Sequence, residues 1–339
     1  METSWLFEVS WEVCNKVGGI HTVISSKAAQ AVSQFGERYV AMGPLLKSNP
    51  GFEPCDPPES IVPALERLAA KHVEVSVGRW DIPGRPWAML IGFRDVFKDP
   101  DKLLFQLWND YGVDSMAGAW DYIEPVLFST ASAMAIKEIG DDMEGVADVY
   151  AHFHEWMSGA GVLYLKKHAP GVSTVLTTHA TMLGRSMSGS GVDIYAALEE
   201  IEPTQEAKAF GVSAKHSMES VSAREADCFT TVSNITRREA SNLLGTNPAV
   251  VTTNGFNLEA LPSRSTWPKS GGLRAGSLWI WQSGSLSASW TRTRPCWWPQ
   301  AAGTSFTTRA STCCLTASRT STASLPRRSP TPRWWPSCS

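Results

Sequence analysis

Apolar positions come in short, regular bursts through residue 263, and each burst predicts an element. WLFEV (residues 5–9) is a compact apolar run that leads through NKVGGI into HTVISSKAAQAVSQFG, whose apolar positions recur at helical spacing. That pattern is strand, glycine turn, helix. RYVAMGPLL, HVEVSVGRW and WAMLIGF read as further strands, EPVLFSTASAMAIKEIG as a helix, and DVYAHFHEW as a buried strand running into a turn. GAGVLYLKKHAPG predicts a helix closing on Gly171, and VSTVLTTHA predicts a strand. SVSAREADCFTTVS then passes from helix to strand, NITRREASNLLG is a helix capped by Asn234, and AVVTTNGFN is a last strand. Residues 51–62 and 94–122 depart from the regular pattern. Strands alternating with helices predict an α/β fold built on a doubly wound parallel sheet.

Composition adds a break. Hydrophobic residues make up 43% of the 339 residues, and the mean hydropathy of −0.14 suits a soluble globular protein. No apolar run approaches the roughly 20 residues a membrane-spanning helix needs. METSWLFEVSWEV has no basic stretch ahead of an apolar one, so no signal peptide is expected. Seven irregularly spaced cysteines without a CxxC pair suggest no disulfide framework, and a reducing cytoplasm is the default. Near Arg264 the chain changes character. All 33 acidic residues precede that point, whereas 10 of the 30 Lys and Arg and 8 of the 15 Trp follow it. The last 76 residues also lack Val, Asn, His, Tyr and Met. Globular domains carry charges of both signs, and disordered tails are poor in aromatics, so the segment fits neither class.

Candidate chemistry sits after the predicted strands, where ligands of open α/β sheets gather. In NKVGGI, Gly18 and Gly19 let backbone amides approach an anion at a helix N-terminus and Lys16 adds a positive charge; a tight turn also explains the glycines. His152 and His154 in AHFHEW suit a sugar or phosphate ligand, or are buried, hydrogen-bonded histidines. Alternation puts both on one face, a start on a zinc site, but no third ligand stands at a recognisable spacing and metal is rejected. TTHATMLGR repeats the arrangement with His179 and Arg185, the arginine suited to a carboxylate, a phosphate or a surface salt bridge. His216, Glu219, Arg224 and Glu225 read as ion-pairing residues of one helix. No GxSxG elbow, Walker loop or HExxH is present.

Taken together and in order, LFEVSWEVCNKVGGIHTV, YVAMGP, AHFHEWMSGAG, TVLTTHATMLGR, FTTVSNITRREASNLL and VTTNGFN resemble glycogen synthases of the animal and fungal type and their bacterial relatives. The matching strings run from Leu6 to about Asn257. The resemblance implies a retaining glycosyltransferase with two Rossmann-like domains facing across a cleft, the GT-B architecture. It implies transfer of glucose from a nucleotide-sugar donor, UDP-glucose in most of the family, to an α-1,4-glucan acceptor, with no cofactor. Lys16, Gly18 and Gly19 would face the donor phosphates, His154 the transferring glucose, and Arg185 the phosphate side of the cleft. Asn254 would lie at the hinge into the second domain; the family often has proline where this chain has Thr253. Neither nucleic acid nor membrane is implied as a partner, and the resemblance leaves room for a homo-oligomer of the intact protein. The rival classes are a non-catalytic glucan-binding module, which needs surface aromatics, and another GT-B transferase or phosphorylase.

The resemblance also accounts for the basic segment. Read back as a translation one base late, GTSFTTRASTCCLTASRT (303–320) is compatible, codon after codon, with RYEFHNKGIDVLLDSLKD, which carries the family's second-domain motif. Leucine CTG or valine GTG followed by G becomes the tryptophan codon, and followed by C becomes cysteine, which explains the odd composition. Residues 1–263 are thus expected to be an N-terminal Rossmann-like glycosyltransferase domain. Residues 264–339 are expected to be an off-frame, disordered tail in place of the donor-binding domain, leaving this chain truncated and inactive. The gene's alternative frame, opened near codons 264–278, is predicted to encode a continuous second domain of the family. Sequencing the nucleic acid checks this; stop codons or an unrelated peptide across codons 303–320 would refute it.

Overall fold

The computed structural model describes residues 4–255, so the off-frame reading of residues 264–339 lies outside the described residues. Nine strands form one sheet: β1 (Trp5–Val9), β2 (Tyr39–Pro44), β3 (Phe52–Pro54), β4 (Val75–Trp80), β5 (Trp87–Ile91), β6 (Val149–His154), β7 (Ser173–Thr178), β8 (Cys228–Thr231) and β9 (Val250–Val251). Their spatial order is β3-β4-β5-β2-β1-β6-β7-β8-β9. The helices are α1 (Gly19–Phe35), α2 (Val62–Ala70), α3 (Pro100–Tyr111), α4 (Trp120–Asp142), α5 (Gly159–His168), α6 (Met182–Gly189), α7 (Pro203–Ala209), α8 (Ser213–Glu225) and α9 (Asn234–Leu243).

The parallel sheet expected from the alternation is present from β5 through β9, but its other edge differs. β4 runs antiparallel to β5, and β3 antiparallel to β4. For the β4–β5 pair the reason is the short link between Trp80 and Trp87, which leaves no room for the dozen or more residues of a parallel crossover. The two irregular stretches hold β3 and the 12-residue helix α3. Asn234 is the first residue of α9; the cap is Ser233, whose hydroxyl accepts from the Thr236 amide.

Strand alternation divides the core. Trp5, Phe7 and Val9 of β1 join Met42, Met89, Phe153, Leu176 and Phe229 on one face, beneath α4, α5 and α8. Fourteen of the 23 residues of α4 are buried, so this helix is enclosed rather than a surface amphipath. On the opposite face α1 lays Ile24 over Ala41, Ala88 and Leu90, and packs Ala28 and Phe35 against Tyr39. Helices on both faces are what a sheet with parallel strands requires.

One close approach fixes the loop that follows β1. Gly43 of β2 lies where an added Cβ would sit 2.4 Å from the Val13 carbonyl oxygen, so the 10–18 loop can rest on β2 only because position 43 has no side chain. Gly43→Ala is therefore expected to destabilise the fold by about 1–3 kcal/mol. Gly171→Ala, with nothing within 4 Å, should shift stability by no more than about 0.5 kcal/mol. Urea denaturation of both variants checks the pair; equal effects would count against the steric account.

Candidate functional site at the carboxyl edge of the sheet

The chain leaves β1 toward β2 on one side and returns to β6 on the other, so the β1–β6 boundary is the topological switch point. Beyond the carboxyl ends of β1, β6 and β7 lie three loops: 10–18, the Glu155 turn, and 179–181 leading into α6.

The floor of this region is ionic. Glu8 interrupts the apolar run of β1 and is fully buried. Its carboxylate accepts from the Tyr39 hydroxyl at 2.5 Å, pairs with Lys27 of α1 at 2.5 Å, and meets Nε2 of His154 at 2.7 Å. Burial alone would raise the Glu8 pKa, but Lys27 and the His154 hydrogen bond hold it well below the usual carboxylate range. Nδ1 of His154 lies 3.0 Å from Nε2 of His179, and Nε2 of His152 lies 2.7 Å from the Thr177 hydroxyl. Burial keeps all three imidazoles neutral by lowering their pKa values. A neutral His154 that donates from Nε2 to Glu8 can only accept at Nδ1. His179 must therefore donate from Nε2, which leaves its Nδ1 as an acceptor.

His154, expected to face the transferring glucose, is 2% exposed with both ring nitrogens engaged inside the protein. The half-buried histidine next in the chain of hydrogen bonds is His179. The sheet also supplies the third ligand that sequence spacing lacked, since donor atoms of Glu8, His152 and His154 lie within 4.8 Å of one another. Lys27 stands against the same Glu8 oxygen that His154 contacts, so an ammonium already faces this group.

The 179–182 segment rests on carboxylates. The amides of His179 and Ala180 donate to Oε1 of Glu155 at 3.0 and 3.3 Å, that of Thr181 to Oε1 of Glu239 at 3.1 Å, and that of Met182 to Oε2 of Glu219 at 2.8 Å. Arg185 places one guanidinium nitrogen 3.0 Å from the same Glu155 oxygen, while its side chain is 53% exposed. Glu155 holds φ +65° and ψ 173°, a conformation that costs a non-glycine residue about 1–3 kcal/mol. Burial pushes its carboxyl upward in pKa against the pull of Arg185 and the two amides. Glu219 is thus no surface ion-pairing residue: it is fully buried, and Arg224 instead bonds its neighbour Glu225.

At the glycine turn the helix end is already occupied. Gly18 is the N-cap of α1, and its amide and that of His21 both donate to Oε2 of Glu12, at 2.8 and 2.9 Å. Open space surrounds Gly19, where an added Cβ would meet nothing within 4 Å. Lys16 is exposed on the same loop, and Asn254 is exposed at the end of the described residues. Sequence reasoning did not single out Glu8, Glu12, Lys27, Glu155 or Glu239. The acid within WLFEV and the acid directly after the AHFH strand were the available signals; Glu12 holds amides only six and nine residues on, whereas Lys27 and Glu239 depend on partners farther away in the chain.

A family model for glycogen synthase matches residues 8–263, about three quarters of the chain. The chain belongs to the glycogen synthase family. Liver glycogen (starch) synthase of Rattus norvegicus is 36% identical over 262 residues, covering 76% of this chain and 37% of the relative. Glycogen (starch) synthase of Dictyostelium discoideum is 37% identical over 258 residues, 75% of this chain and 29% of the relative. Isoform 2 of Saccharomyces cerevisiae is 33% identical over 270 residues, 76% of this chain and 38% of that protein. The chain thus spans well under half the length of these relatives. A solved structure, the catalytic domain of starch synthase IV from Arabidopsis thaliana bound to ADP and acarbose, matches 72% of this chain and 49% of that one. Its TM-score of 0.40 and 14% identity are too slight to add to the assignment. Among the described residues no helix is long and apolar enough to cross a membrane. In this glycogen synthase family member the strings NKVGGI, AHFHEW and TTHATMLGR end in the loops that meet at the switch point.

The ionic floor makes stability depend on pH in one direction. The depressed imidazole pKa values favour folding above the ordinary histidine value of 6.5 and lose that contribution as pH falls below it. The depressed Glu8 carboxyl adds a further loss at lower pH, as pH passes below the ordinary 4.5. Unfolding free energy is therefore expected to decline from pH 7 to pH 5 and then further, the three imidazoles outnumbering the raised carboxyls of Glu155 and Glu219, which act in the opposite sense. Glu8→Gln should cost about 3–5 kcal/mol at pH 7 by leaving Lys27 unpaired. Denaturant titrations across pH check both; stability that is flat or rises on acidification would contradict the account.

Proposed function

We propose that residues 4–255 form the acceptor-side half of a retaining glucosyltransferase that extends an α-1,4-glucan from a nucleotide-sugar donor, UDP-glucose by family resemblance. The observation that carries this reading is the meeting of the three strand-end loops at the switch point, with a half-exposed arginine fixed by a buried carboxylate. In the reaction the bond from the glucose anomeric carbon to the donor phosphate oxygen breaks, and a bond to the acceptor hydroxyl forms with loss of that hydroxyl's proton. Negative charge grows on the departing diphosphate, and a guanidinium held in place before reaction stabilises it without reorganising. Arg185 takes that role. The open side of Gly19 and the charge of Lys16 give the diphosphate a second wall, while Gly18 serves Glu12 instead. His179, with Nδ1 as acceptor, suits a glucose hydroxyl, and His154 acts behind it by fixing its tautomer. Asn254 stands where the chain would pass to a donor-binding domain.

A second reading is supported by a separate surface. Phe105 and Trp108 of α3 are about half exposed, with ring centroids 5.6 Å apart. The same helix lends Lys102, Leu103 and Gln106 to a cavity of about 320 Å³ also lined by His72, Asp95 and Phe97. Exposed aromatics beside mixed polar groups suit a glucan platform, so this domain would also hold polysaccharide away from the reacting end.

Incorporation of labelled glucose into glycogen tests the main reading. The present chain is expected to transfer none, because the off-frame tail would leave no donor-binding wall, whereas protein restored to the alternative frame should be active. Arg185→Ala in the restored protein should lower transfer by about 10²–10³. Full activity of that variant would remove Arg185 from the site, and turnover by the present chain near that of the restored protein would overturn the off-frame account. Glycogen binding lost in Phe105→Ala/Trp108→Ala with transfer to short maltooligosaccharides kept would establish the platform.

A further inference from the structure

The four successive amides from His179 to Met182 are held by three glutamates from three elements, and the surroundings of those glutamates are not alike. Glu155 faces a guanidinium and two amides, the setting of an anion. Glu239 is held by two residues: Oε1 accepts from the Thr181 amide at 3.1 Å and the Thr181 hydroxyl at 2.6 Å, and Oε2 lies 2.7 Å from the Tyr195 hydroxyl oxygen. The Thr181 hydroxyl cannot turn away, because its oxygen already accepts from the Gly184 amide at 3.0 Å as the cap of α6.

Glu219 has no such company. It is fully buried on α8, and among the described residues no cation contacts it. Oε2 accepts from the Met182 amide at 2.8 Å, and Oε1 lies 3.2 Å from the Thr178 hydroxyl oxygen, a group able to accept as well as donate. The charged groups that act on it are Glu155, which disfavours a second anion, and Arg185, which is the weaker influence. A buried carboxylate with one amide, one hydroxyl and a like-charged neighbour is better served by keeping its proton.

We propose that Glu219 and Glu239 are positioning residues of the loop bearing His179 and Arg185, with Glu219 the neutral acid, donating from Oε1 to Thr178, beside the anionic Glu155. The division follows from the partners: an acid presents one donor and one carbonyl, matching Thr178 and Met182, whereas Glu155 faces a guanidinium and two amides. Burial and the Glu155 charge both raise the Glu219 pKa well above the ordinary range, which agrees with this placement. Glu219 thereby supports the loop without adding a second anion beside Glu155. The importance of that loop for an anionic donor rests on the transferase reading; the protonation states do not.

Infrared spectra and thermal melts of the full chain test the division. At pH 7 the wild type is expected to show the C=O stretch of a protonated carboxyl, absent from E219Q and retained in E239Q. Glutamine reproduces one donor and one acceptor, so E219Q should melt at or above wild type, with its advantage growing as pH rises from about 4.5. E219A should melt lower by about 2–4 °C or more. A spectrum in which E219Q removes no protonated-carboxyl band overturns the proposal, as does an E219Q protein that melts as low as E219A or fails to fold. Because no donor or glucan enters these measurements, their failure would leave the transferase reading standing, and failure of transfer would leave these states intact.

Discussion

A single carboxylate in the middle of β1 ties the carboxyl edge of the sheet together. Glu8 joins Lys27 of α1, Tyr39 of β2 and His154 of β6, so four elements depend on one buried anion. Removing a charge from water is costly, and the cost is offset only when every lone pair finds a partner. Here the partners also settle a proton: once Glu8 accepts from His154, the direction of each later hydrogen bond through His179 follows. Electrostatics at the bottom of the fold thus decides which atom of a half-buried histidine is an acceptor.

Glutamates also occupy places where the family reading first put a ligand. Both α1 and α6 begin at the switch-point edge, and helix N-termini favour anions. In each case an internal carboxylate takes the amides: Glu12 at α1, and Glu239 and Glu219 at the entry to α6. The positive charge on that surface comes from side chains, chiefly Arg185 and Lys16.

The central strands and most large helices were legible in the amino-acid sequence because period two and period 3.6 are local patterns. The antiparallel edge was legible in principle, since the gap between Trp80 and Trp87 is too short for a crossover. The position of the site was legible as well: NKVGGI, AHFHEW and TTHATMLGR all close strands. The internal roles of its residues were not. His154 and His179 both follow apolar runs, and nothing local distinguishes the one sealed beneath from the one beside the surface. That distinction comes from Glu8, 146 positions earlier. Glu219 looked like a helix-surface acid because its two neighbours in ion-pair reach were visible, whereas Thr178 and Met182 reach it only through the fold.

The ladder of amides from His179 to Met182 sets a rule about length rather than composition. Side chains in this stretch are free to vary where they point outward, since the glutamates grip backbone. The count of residues is not. Inserting or deleting one would shift each amide by a position against Glu155, Glu239 and Glu219, which sit on three separate elements and cannot move in concert. Arg185 would then begin its helix rotated by about 100°, the turn per residue of an α-helix, and face away from the crevice. Related chains can rewrite the chemistry of this loop; they have little room to resize it.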